Sequence, residues 1–126
     1  MMLNVLWIII VVAVIFLFMQ KRGAKGITSI SAQELGTLLE EKQGRLFIDV
    51  REPHEFKGGH VPGMKNIPVG QISQRSNELS KDKEIIVMCH SGSRSMMAAR
   101  TLKRLGYTKI VNVRGGMMSW RGKVAK

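Results

Sequence analysis

The 126-residue chain holds one cysteine, Cys89. A single thiol excludes an internal disulfide and fits a reducing compartment. Acidic residues are also scarce, 9 against 20 lysines and arginines, which leaves a formal charge of +11. So basic a chain raises nucleic acid as a partner, yet the basic residues are scattered rather than clustered. Aromatic residues are thin as well: beyond Gln20 there are only Phe47, Phe56, Tyr107 and Trp120. They supply no stacking platform, and no nucleic-acid partner is expected. Attraction to an anionic membrane surface is the simpler account of the charge. His54 and His60 make no metal-ligand spacing with Cys89, so no metal site is expected, and no cofactor is implied. The nine methionines, Met96-Met97 and Met117-Met118 among them, read as filler of core and rim rather than as a copper site.

Charge is absent altogether through Gln20, and Asn4 is the one strongly polar residue from Met1 to Met19. As a helix this head would run roughly 28 Å at about 1.5 Å per residue, close to the hydrocarbon thickness of about 30 Å. A cleaved signal peptide would need a basic start and a small-residue cleavage site, and neither is visible. A buried globular helix would show a polar face, which the run lacks. The basic residues come after it, in Lys21-Arg22-Gly23-Ala24-Lys25. Residues 1–20 are therefore expected to be a single-pass transmembrane anchor and 21–25 a basic juxtamembrane linker. The positive-inside rule puts the N-terminus outside and the remaining domain, 26–126, in the cytoplasm. About a hundred residues suffice for one compact domain.

That domain is organised around Cys89-His90-Ser91-Gly92-Ser93-Arg94-Ser95. The apolar run Ile85-Ile86-Val87-Met88 leads in, and a helical stretch from Ser95 to Leu105, closed by Gly106, leads out. A buried strand thus delivers a thiol to a tight turn at the mouth of a helix, where successive backbone N–H groups face one small bowl. The bowl favours anions, and the helix dipole together with Arg94 favours the thiolate. A lone cysteine is commonly a small core hydrophobe. Here it ends a strand and is followed by small and polar residues that admit a ligand close to the backbone, which points to a reactive thiol.

The rest alternates strands and helices. Gly26–Ile30 reads as a strand, and Ser31-Ala32-Gln33-Glu34 as a capping box opening a helix with Leu35, Leu38 and Leu39 on one face. Leu46–Val50 is a strand, Pro53 opens a short helix through Lys57, and Lys65–Ile67 is a brief strand. A helix is expected from about Val69 to Leu79, a last strand over Lys109–Val113, and a helical turn around Trp120. Near-continuous apolar strands separated by helices predict an α/β domain with a mostly parallel five-stranded sheet and helices on both faces. Ligands of such sheets sit beyond the carboxyl ends of the strands, where Cys89, Asp49 and Arg114 fall.

Four stretches resemble the single-domain rhodaneses: Asp49-Val50-Arg51-Glu52 with Phe56; Gly59-His60-Val61-Pro62-Gly63 followed by Asn66-Ile67-Pro68; Cys89-x-x-Gly92-x-Arg94-Ser95; and Gly115-Gly116 with Trp120. The resemblance implies a sulfurtransferase that moves a sulfane sulfur through a persulfide on Cys89. The donor would be a small sulfur compound or a persulfide-carrying protein, and the acceptor a thiol or cyanide. His90, Ser91, Gly92, Ser93, Arg94 and Ser95 would then hold the terminal sulfur and the incoming anion. Arg94 either contacts the substrate anion or braces the loop on Asp49 or Glu52. Ser95 reads as a hydrogen-bonding residue at the helix start, and Asp49 with Arg51 as a supporting ion pair. His90 either tunes the thiol or simply faces solvent. Two rivals stay open. A cysteine phosphatase or arsenate reductase would use a similar loop, but with five rather than four residues between cysteine and arginine. A tethered binding module would turn over nothing.

Overall fold

The computed structural model describes residues 2–21 and 26–126. Five strands form a single parallel sheet in the order β1-β5-β4-β2-β3. They are β1 (Ile27–Ile30), β2 (Arg45–Asp49), β3 (Lys65–Asn66), β4 (Glu84–Met88) and β5 (Ile110–Val113). In β4 the side chains alternate between two buried faces. Ile85, Val87 and the following Cys89 join Ala98, Ala99 and Leu102 on one side, and Ile86 and Met88 join Leu35, Phe47 and Val111 on the other. Burial on both faces explains why the strand is an unbroken apolar run. The first face is covered by α5 (Ser93–Arg104) and the second by α2 (Ala32–Leu39).

Local chemistry accounts for the helix starts. Ser31 caps α2: its Oγ accepts from the Glu34 N–H at 3.1 Å, and Glu34 Oε1 accepts from the Ser31 hydroxyl at 3.2 Å. Pro53 opens α3 (Pro53–Gly58), where its missing N–H is no loss. The single helix expected over Val69–Leu79 is instead three short pieces: a 3₁₀ turn at Val69–Gln71, α4 (Ile72–Arg75) and a second 3₁₀ turn at Ser76–Glu78. Tyr107 holds the far end of this segment. Its hydroxyl lies 2.6 Å from the Ser76 carbonyl, which also accepts from the Leu79 N–H in a 3₁₀ pattern, and 2.8 Å from the Leu79 carbonyl, so it anchors the end of the segment. The expected strand over Lys65–Ile67 is two residues long, and the closing turn is a 3₁₀ helix over Gly116–Ser119 that Trp120 follows. Trp120 packs with the α2 face, its ring lying over Gly36.

The head forms α1 (Met2–Lys21), and over 4–17 every side chain is exposed. Valine, leucine, isoleucine, Trp7 and Phe16 make up nearly all of that surface. Among the described residues no helix is long and apolar enough to cross a membrane. The expected transmembrane helix is thus not shown, and most of the basic linker expected at 21–25 lies outside the described residues.

Candidate active site

Cys89 follows β4 at the carboxyl edge of the sheet and is fully buried. Gly92, at φ +119°, turns the chain so sharply that its own N–H donates back to Cys89 Sγ at 3.0 Å. Helix α5 begins at the next residue, two earlier than expected, which places Arg94 and Ser95 in its first turn. Ser95 is fully buried; its hydroxyl lies 3.4 Å from Sγ and donates to the Gly92 carbonyl at 3.0 Å. His90, Ser91 and Ser93 lie exposed along the rim.

Two opposing effects act on the thiol. Burial pushes its pKa up, but the Ser95 hydroxyl and the N–H groups of Ser95, Gly92 and Ser91 outweigh burial and hold it below its ordinary value. The loop is fixed from the other side by the closing turn. Met117 N–H donates to the Cys89 carbonyl at 2.8 Å, and Met118 N–H to the His90 carbonyl at 3.0 Å. Gly116, at φ +52°, makes this approach possible, since a Cβ there would strike the Cys89 carbonyl oxygen. The Gly115-Gly116 pair is thus a contact surface for the thiol loop.

Arg94 does brace the loop, but on a partner the sequence reading missed. Its guanidinium pairs bidentately with Glu55 at 2.6 and 2.9 Å, rather than with Asp49 or Glu52. The Arg94 hydrogen bond holds the Glu55 carboxyl down at about 2, and Glu55 in turn raises the Arg94 pKa. Glu55 sits at the third position of α3, where Oε1 also accepts from the Glu52 N–H at 3.0 Å. Its place three residues after Glu52, inside the helix that Pro53 opens, was the available signal.

Asp49 is committed elsewhere. It is fully buried and pairs with Arg51, which is 4% exposed, through contacts of 2.8 to 3.1 Å. Arg51 also donates to the Gly59 carbonyl, and Asn66 to the carbonyls of Asp49 and Arg51. This cluster fixes the loop after β2, from which α3 presents Glu55 to Arg94. His60 stacks on Phe56 and exchanges backbone hydrogen bonds with Ala125, so the Gly59–Gly63 stretch is structural.

The site is a thiol held below its usual pKa, in a cradle of N–H groups at the carboxyl edge of a parallel α/β sheet, an arrangement that suits a cysteine nucleophile and an anionic or sulfur-bearing ligand. The chain belongs to the rhodanese-like domain family, whose model matches residues 31–123. A Bacillus subtilis protein named as a candidate sulfur carrier is 40% identical over 112 residues, covering 84% of this chain and 60% of that protein. A sulfurtransferase of Allochromatium vinosum is 32% identical over 94 residues, covering 75% of this chain and 88% of its own length. The crystal structure of a rhodanese-like domain protein from Staphylococcus aureus superimposes with a TM-score of 0.70 at 32% identity, covering 76% and 93% of the two chains. The chain spans about three fifths of the length of the first curated relatives it matches.

Proposed function

We propose that the chain is a sulfurtransferase that carries a sulfane sulfur as a persulfide on Cys89. The observation that carries this reading is the thiol itself, buried, lowered in pKa and 3.0 Å from the Gly92 N–H. Sulfurtransferases among its relatives support the same chemistry. In the loading step the Cys89 thiolate attacks the outer sulfur of the donor. An S–S bond forms to Sγ, the donor's own bond to that sulfur breaks, and the donor remainder leaves with the electron pair. The loop amides stabilise charge on the sulfur in both states. With no second cysteine to attack it, the persulfide waits for an external thiol or cyanide.

Arg94 and the four residues between it and Cys89 bear on the rival chemistry. A guanidinium already engaged bidentately by Glu55 is poorly placed to clamp a tetrahedral phosphoryl group, and a fully buried thiol suits a slender sulfur chain better. A paired assay on the full chain in mild detergent tests this, with sulfane-sulfur donors plus cyanide in one set and an aryl phosphate in the other. Thiocyanate formation, lost in Cys89→Ala, is expected. Phosphate release lost in the same variant would reverse the assignment, and silence in both sets would leave a binding module.

The apolar head supports a second element of the proposal, attachment of the domain to the cytoplasmic face of a cell membrane. Its support is the uncharged run to Gln20, the apolar exposed surface over 4–17, and the basic residues that follow.

A further inference from the structure

Beside the thiol loop lies a pocket of about 390 Å³ lined by Ser31, Ala32, Gln33, Arg114, Gly115 and Ser119. It stands at the carboxyl ends of β1 and β5, the same edge that carries Cys89. Arg114 is fixed through its backbone, whose N–H donates to the Ile30 carbonyl at 2.8 Å. Its side chain is exposed and makes no ion pair among the described residues. The Ser31 hydroxyl is engaged with Glu34, which leaves Ser119 and the Gln33 amide as further polar groups on the wall. The pocket shares a wall with the thiol loop: a Cβ built on Gly92 would lie 3.6 Å from the Gly115 nitrogen. The turn that follows Gly115 holds the carbonyls of Cys89 and His90.

We infer that this pocket is the acceptor subsite, and that it takes a low-molecular-weight thiol carrying a carboxylate. The inference rests on the proposed sulfur transfer. Arg114 is the unpaired fork that a carboxylate fits, and the volume suits a small molecule rather than a bare anion. With its carboxylate on Arg114, the bound thiol lies along the wall that Gly115 shares with the Gly92 turn. Its thiolate attacks the terminal, protonated sulfur of the persulfide. A new S–S bond forms to the acceptor, the Sγ–S bond breaks, and the electron pair returns to Sγ as thiolate. The acceptor leaves as a persulfide, and no outside oxidant or reductant is needed.

The test compares three acceptors with the full chain in mild detergent: 3-mercaptopropionate, the uncharged 2-mercaptoethanol, and cyanide. Arg114→Ala should raise KM for 3-mercaptopropionate about tenfold, the loss of one charged hydrogen-bonded contact, and leave the other two acceptors within about twofold. Arg114→Lys should restore part of the preference. In Cys89→Ser protein, 3-mercaptopropionate should shift the amide resonances of Gly115 and Ser119, and Arg114→Ala should abolish those shifts. An equal effect of Arg114→Ala on both thiols, or amide shifts indifferent to it, would overturn the subsite while cyanide turnover kept the sulfurtransferase reading intact. Wild-type protein that passes no sulfur even to cyanide would remove that reading and the subsite with it.

Discussion

The reactivity of Cys89 turns on a single proton. The Ser95 hydroxyl has one hydrogen, which points at the Gly92 carbonyl while the thiol is neutral. Once the thiol ionises, the same hydrogen serves the sulfur better, and Gly92 N–H is already aimed there. Burial opposes ionisation, so these donors decide the sign of the shift. Alkylation of Cys89 should therefore rise through a midpoint below the ordinary thiol value of about 8.5, because the folded pKa is depressed and the thiolate is the nucleophile. Ser95→Ala should move that midpoint up and slow alkylation at neutral pH about tenfold, the worth of one hydrogen bond to a charged acceptor. A Ser95→Ala profile that overlays the wild type would show that the backbone donors suffice. The thiol loop and its buried serine were legible in the sequence, because Cys89 and Ser95 lie within one seven-residue stretch whose strand-to-helix geometry is local. The partner of Arg94 was not. Glu55 is far off in the chain, and the nearer carboxylate of Asp49 is already taken by Arg51, which spacing alone does not reveal.

At the scale of elements, the Glu55–Arg94 pair ties the first turn of α3 to the first turn of α5 and so fixes the mouth of the thiol loop. Glu55 titrates at about 2 when folded, against an ordinary carboxylate value near 4.5. A depressed carboxylate pKa contributes stability that is complete above the unfolded value and fades as pH falls toward the folded one. Glu55→Gln should thus destabilise the full chain at neutral pH by about 1 kcal/mol, the pair being partly open to solvent and screened accordingly. The gap between variant and wild type should close between about pH 5 and pH 2 in urea titrations. A gap that stays constant over that window would mean the pair contributes packing rather than charge. The parallel class of the sheet was legible from its unbroken apolar strands, and the capping box of α2 from Ser31 and Glu34. The break in the Val69–Leu79 segment was not, and the Tyr107 hydroxyl that holds its far end reaches it from far along the chain. Nor did spacing reveal that Gly116 is pressed against the Cys89 carbonyl, a contact that exists only once β4 and β5 lie side by side.

The whole molecule has a direction. Every strand runs parallel, and the chain enters the sheet at the amino end of β1, at Ile27. Cys89 lies at the opposite edge, one strand length away, roughly 16 Å at about 3.3 Å per residue. Under the proposed attachment through the head, the amino edge of the sheet would face the lipid, and the thiol with the Arg114 pocket beside it would face the aqueous side. Two measurements follow from this polarity. If the domain lies on the cytoplasmic face as proposed, protease added to intact cells should spare it, and protease added to inverted vesicles should digest it down to the head. On those inverted vesicles a bulky, impermeant thiol reagent should reach Cys89 no more slowly than on the detergent-solubilised chain, since nothing in this orientation brings lipid to the carboxyl edge. Digestion from outside sealed cells would place the domain on the wrong face. Slow labelling on vesicles that speeds up in detergent would instead mean that the domain lies with its thiol edge against the bilayer, and the direction drawn from the sheet would be reversed.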